Sequence, residues 1–190
     1  MKIPAPKFPK RVQQSFSIQN AAHLFGKLSY EIHHFTKDHS LGAASGYLAL
    51  NIAMTAWHMV DWLNADMDDN QRNIVNNFLK YKDKKGVSGL GNLASAVAGA
   101  CNALRMCQVI TNAGKHVKVT RNANPSLITR PKSIKSNQDK KFPPELSQIW
   151  VIVCDGKEYL AEDVFREAVR FWEVLLSRLG IIEDRYIAGE

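Results

Sequence analysis

The segment from Ala43 to Asn64 sets the strongest limit on the fold, because it is apolar on most faces of a helix (Leu48, Leu50, Ile52, Ala53, Trp57, Val60, Leu63). A helix that is apolar nearly all round needs neighbours to cover it, which places this one at the centre of a bundle. It ends in Asn64-Ala65-Asp66. No segment reaches the run of about 20 apolar residues that a membrane span requires. The expectation is a soluble protein with no membrane partner.

The neighbours of that helix can be read from the same spacing. Ile18, Ala21, Ala22, Phe25, Leu28, Ile32 and Phe35 recur at helical intervals between Ser17 and Asp38, with Ser17 as an N-cap. A shorter helix from Asp69 to Tyr81 starts at Asp68 and Asp69, which suit the positive end of the helix dipole, and stops near lysines. Lys82 to Gly91 reads as a turn. A helix rich in Ala and Gly then runs from Leu93 to Asn112, with Ala113-Gly114 as its C-terminal stop. The last helix spans Glu162 to Leu179, with Val164, Phe165, Ala168, Phe171, Trp172, Leu175 and Leu176 on its apolar face and Gly180 ending it.

Between the last two helices the pattern changes. Lys118 to Thr120 and Leu127 to Thr129 have β character, and Pro125, Pro131, Pro143 and Pro144 prevent a long helix. Ile149 to Val153, Asp155-Gly156 and Glu158 to Leu160 together spell a β-hairpin, since Asp-Gly favours a type I′ turn. The fold class is therefore mainly α: a bundle of about five helices with a small β-hairpin before the C-terminal helix.

With 190 residues, a chain can bury roughly 70% of its unfolded surface in one domain. Residues 17–190 form that domain, with a basic loop and hairpin insert at 115–160, and residues 1–16 form a Pro- and Lys-rich arm. The arm lacks the apolar core of a signal peptide, which points to the cytoplasm. Cys101, Cys107 and Cys154 are odd in number and widely spaced, as expected of small buried side chains rather than a disulfide framework or zinc site.

Chemistry, if present, concentrates in two polar rows. Asn51, Thr55 and His58 share one side of the central helix, with Asp61 a turn beyond; Arg105, Gln108, Asn112 and His116 share one side of the small-residue helix, with Lys115 just off it. Buried polar groups without partners cost about 1 to 3 kcal/mol each, so each row predicts partners nearby. If the two helices pack together, His58, Asp61, Arg105, Asn112, Lys115 and His116 converge into a pocket with a general base, a carboxylate and cations. The alternative is a satisfied hydrogen-bond network that fixes helix register. His58 and Asp61 also supply two metal ligands, but a third and fourth would have to come from His116 or His34 across the bundle, so no metal is assigned. Glu31, His33 and His34 form another cluster, but His33 and His34 are adjacent, point about 100° apart and read as surface histidines. No cofactor fingerprint is present, and no cofactor is assigned.

Ala56-Trp57-His58-Met59-Val60-Asp61-Trp62, Asn112-Ala113-Gly114-Lys115-His116 and Phe171-Trp172-Glu173 together resemble a group of uncharacterised bacterial and phage proteins, similar in outline to HEPN-type helical domains. The resemblance covers the chain from Ala43 onwards and implies a helical fold. HEPN ribonucleases act on the RNA phosphodiester with an Arg and a following His. The resemblance would put Arg105 and His116 in those roles, although the ten residues between them exceed that family's spacing.

Charge supplies the remaining indication of function. Between Lys115 and Lys141 lie eight Lys or Arg residues against Asp139 alone, so this segment by itself carries the chain's net charge of +7. Lys118, Arg121, Arg130, Lys132, Lys135, Lys140 and Lys141 are the expected phosphate contacts for RNA or DNA. No aromatic residue interrupts the stretch before Phe142, so a stacking platform is missing. The alternative is a non-catalytic interaction module that forms a homo-oligomer through its small-residue helix.

Overall fold

The computed structural model describes residues 18–37, 43–81, 89–115, 126–135 and 146–183. Six helices and three strands follow in the order α1 (Ala21–Lys37), α2 (Ala43–Asp66), α3 (Asp69–Leu79), α4 (Gly89–Ala100), α5 (Asn102–Lys115), β1 (Ile128–Lys135), β2 (Leu146–Cys154), β3 (Lys157–Leu160) and α6 (Ala161–Arg178). The molecule is mainly helical, with a small antiparallel sheet before the final helix, as the spacing predicts.

The helix that is apolar on most faces is indeed central: α2 packs against α1, α4, α5 and α6. Ile52, Ala53, Ala56, Met59, Val60 and Leu63 of α2 are buried among Leu28 of α1, Leu93 of α4, Leu104 of α5, and Trp172 and Leu176 of α6. Each fully buried Val, Leu, Ile or Met side chain among these contributes about 1.5 to 3 kcal/mol. Even so, α2 keeps a solvent-facing stripe through Ala44, Tyr47, Asn51, Asp61 and Ala65.

The ends of the helices show how local chemistry sets their limits. Asn20, not Ser17, caps α1: its side chain accepts from the His23 amide at 2.8 Å, and Asp66 at the far end of α2 accepts from the Ala21 amide at 2.7 Å. Ser17 itself lies outside the described residues. At α3, Asp68 and Gln71 form a reciprocal capping box, and Gln71 also donates to the Leu179 carbonyl at 3.1 Å, fastening α3 to the end of α6. Gly180, at φ 64°, stops α6 in a Schellman arrangement, with the Ile181 amide reaching the Leu176 carbonyl at 3.0 Å and its own reaching Ser177 at 2.9 Å.

Two expectations about the small-residue segment need correction. The single helix expected from Leu93 to Asn112 is divided into α4 and α5 at Cys101, although ladder bonds from Cys101 to Val97 and from Arg105 to Cys101, both 3.0 Å, bridge the division. Nor does Gly114 end it. The helix continues to Lys115, and at Gly114 α5 packs closely on α2, since a Cβ there would lie 2.9 Å from the Leu50 side chain. Lys82 to Ser88, most of the expected turn, lies outside the described residues.

The sheet has three strands in the order β1-β2-β3, one more than the expected hairpin. The β2–β3 hairpin turns through Asp155 and Gly156 at φ 51° and 77°, the two positive values that a type I′ turn requires. β1 lies at the sheet's edge, opposite β2 from Ile128↔Val153 to Lys135↔Leu146. An edge position is also where Pro131 costs no ladder bond. The inner face, through Ile152 and Cys154, packs on the helices, and Trp150 donates to the Ser45 hydroxyl of α2 at 2.9 Å.

Candidate nucleic-acid interface

α2 and α5 are packed neighbours, but the two polar rows do not meet between them. The contact is made by Thr111, which donates to the Ala53 carbonyl at 3.1 Å, and by Gly114 against Leu50. At 100° per residue, Asn51 and His58 lie about 140 to 160° round α2 from Ala53, and Arg105 and Asn112 lie more than about 100° round α5 from Thr111 and Gly114. Burial agrees with this geometry. Asn51 and Asp61 are exposed and His58, Arg105, Gln108 and Asn112 half-buried, whereas Thr111 is fully buried. The expected convergence of His58, Asp61 and Asn112 at the α2–α5 contact is therefore corrected. Lys115 is the last residue of α5, and His116 lies outside the described residues.

Arg105 has a structural engagement of its own. It donates from Nε to Asn102 at 3.0 Å and pairs with Asp155 at 3.2 Å, beside Cys154 Sγ at 3.8 Å. Ser126 donates to the other Asp155 oxygen at 2.7 Å and accepts from the Asp155 amide at 3.3 Å. This cluster holds the β2–β3 turn against the start of α5. Burial, then Asp155, push the Cys154 thiol up against the opposing pull of Arg105, and burial likewise raises the thiols of Cys101 and Cys107. All three are buried free cysteines.

Thr55 is the member of the α2 row that is buried, and its partner was not anticipated. Lys27 of α1 donates to Thr55 at 2.6 Å and to Glu31 at 2.5 Å. Glu31 is only 7% exposed, and its Oε2 has no hydrogen-bond partner among the described residues, so Glu31 does not share the surface with His33 and His34. A sequence signal existed: Lys27 and Glu31 are an i,i+4 pair on the flank of an amphipathic helix. Among the described residues, no group of three or more His, Cys, Asp or Glu could hold a metal ion.

The basic stretch is represented by β1, whose side chains from Ile128 to Ser133 are all exposed. Strand alternation places Ile128, Arg130 and Lys132 on the outer face, with Val153, Glu158 and Leu160 of the other strands and with Val151, which is fully buried there. Glu158 accepts from Arg130 at 2.9 Å and also from Lys132. Its carboxyl is lowered first by the Lys132 hydrogen bond; desolvation, the next largest effect, opposes this, and the charges of Lys132 and then Arg130 add to the lowering. Two cations thus share one acid on an open surface that also exposes Ile128 and Leu160. Lys135 closes β1; Lys118, Arg121, Lys140 and Lys141 lie outside the described residues. No helix among the described residues is long and apolar enough to cross a membrane.

Comparison with known proteins yields no relatives: no family model, no curated protein and no solved structure matches the chain.

Proposed function

We propose that this protein binds a nucleic acid, RNA or DNA, through the outer face of its sheet and the basic stretch 115–141 that contains β1. The observation that carries this reading is the shared Glu158. One carboxylate balances two cations, so the face keeps a positive excess, and backbone phosphates can take the acceptor position that Glu158 now fills. The reading is one of binding. Arg105 is already engaged with Asp155, which leaves the HEPN-like Arg and His pair without support as a cleavage site.

Binding of a fluorescent oligonucleotide to the full chain across a salt series tests the proposal. The logarithm of affinity should fall by roughly 0.7 to 0.9 per phosphate neutralised for each log unit of salt. Arg130→Gln with Lys132→Gln should weaken binding and flatten the slope, and Glu158→Gln should strengthen binding. Absence of binding at low salt overturns the proposal.

A second reading, a homo-oligomer formed through α4, has one observation in its favour. Gly99 and Ala100 are exposed, and a Cβ at Gly99 would meet nothing within 4 Å, which leaves room for a second helix. A concentration-independent monomer in sedimentation would remove it.

A further inference from the structure

A cavity of about 360 Å³ lies between the first half of α2, the C-terminal half of α5, the sheet and the start of α6. Tyr47, Leu50, Ile110, Trp150 and Phe165 are among its lining residues; none of the described lining residues is charged, and Tyr47 is 68% exposed, so the cavity opens to solvent on that side. Its polar side-chain atoms are the hydroxyls of Tyr47 and Thr129 and the Trp150 indole N–H, which is already bonded to Ser45. Apolar space of this kind holds water poorly, because a retained water needs two to four polar partners.

The wall is also pinned on both sides. Trp150 lies so close to α2 that a Cβ on Gly46 would be 3.0 Å from its ring, and the Ser45 hydrogen bond fixes the ring's orientation. On the opposite side, the contact between Gly114 and Leu50 and the bond from Thr111 to Ala53 hold α5 against α2. The cavity is therefore preformed, with a volume at the lower end of the range of small-molecule pockets.

We infer that this cavity is a binding site for an uncharged aromatic small molecule of about two fused rings, carrying one hydrogen-bonding group that meets Thr129 or Tyr47. Its volume is roughly twice that of the 150 Å³ apolar cavity known to accept benzene. The aromatic walls favour a flat π-system in offset or edge-to-face contact. The absence of any charge among the described lining residues disfavours an ionised ligand, whose desolvation none of them would offset.

The test is titration calorimetry on the full chain with 2-naphthol, and with naphthalene-2-sulfonate as its charged counterpart, together with thermal melts. A ligand selective for the folded state raises the melting temperature with concentration. The expected result is saturable 2-naphthol binding with a rising melting temperature, and at least a tenfold weaker response to the sulfonate. Ala49→Phe, which fills the cavity from α2, should weaken 2-naphthol binding at least tenfold; Ile110→Trp fills it from α5 and provides the same readout if the first variant does not fold. No binding of 2-naphthol, equal binding of the sulfonate, or binding unchanged in a folded filled variant each overturns the inference. None of these readouts involves nucleic acid, so they are independent of the proposed function.

Discussion

The indole N–H of Trp172 donates to the carbonyl of Ala56 at 2.9 Å, a fully buried bond that joins the middle of α6 to the middle of α2 across 116 positions of sequence. Trp172 is 0% exposed, and a buried indole needs such a partner. Trp172→Phe keeps an aromatic ring but removes the donor and leaves a void. The expected loss is about 2 kcal/mol, combining roughly 1 kcal/mol for the bond with a similar cavity contribution. Urea unfolding with an unchanged m-value should show it, and a loss below about 0.5 kcal/mol would mean that the bond does not hold α6 to α2.

Lys27 and Glu31 form a pair whose members differ in exposure, with side chains 39% and 10% accessible. Removing the lysine alone leaves a nearly buried carboxylate without its cation, the costly way to break such a pair. Lys27→Met should cost about 2 kcal/mol, discounted from the fully buried case because Lys27 reaches solvent. Lys27→Met with Glu31→Met together should recover most of that loss. A double variant no more stable than the single one would show that the pair acts through packing.

How much of this was legible beforehand varies by element, for physical reasons. The limits of α2, α3 and α6 and the Asp155-Gly156 turn follow from apolar period, capping residues and positive φ, all of which are local. The polar rows were different, because a helical period says which residues share a side and not which way that side points. Asn51 and Asp61 turned outward, while Thr55 turned towards Lys27. Gly114 departs from its expected role for a related reason: a glycine near a helix end suits either a C-cap or a close approach, and only the neighbouring Leu50 decides. β1 was legible only as far as Thr129, because its lysines, arginine and proline mask the alternation of an edge strand.

The helical glycines provide a paired test of packing against propensity. Gly26 is exposed within α1, and a Cβ there meets nothing within 4 Å, so Gly26→Ala should stabilise by about 1 kcal/mol from helix propensity. Gly46→Ala has the same propensity gain, but its Cβ would lie 3.0 Å from a Trp150 ring that cannot swing away without losing Ser45. Overpacking of about 1 to 3 kcal/mol should make the second substitution net destabilising. Thermal melts of both variants decide this, and equal stabilisation would show that Trp150 is not clamped to α2.

Glu173 gives the pH dependence. Burial raises its carboxyl above the ordinary value of 4.5, with Arg170 opposing, so the folded protein holds this proton more tightly than the unfolded chain. Stability from this group is present at low pH and is lost as pH rises from about 4.5 through the raised folded value. Above that window the ionised carboxylate sits half-buried on α6 beside Trp172. Glu173→Gln removes the titration while keeping the shape, so the variant should equal or exceed the parent protein in stability at pH 7. Its advantage should shrink on acidification through the window, as the parent's carboxyl takes up its proton. Melting temperatures of both proteins between pH 4 and pH 7 measure the difference, and in that difference the other titrating groups cancel to first order. An advantage that grows as pH falls would mean that Glu173 is stabilised as the anion and that Arg170, not burial, governs it.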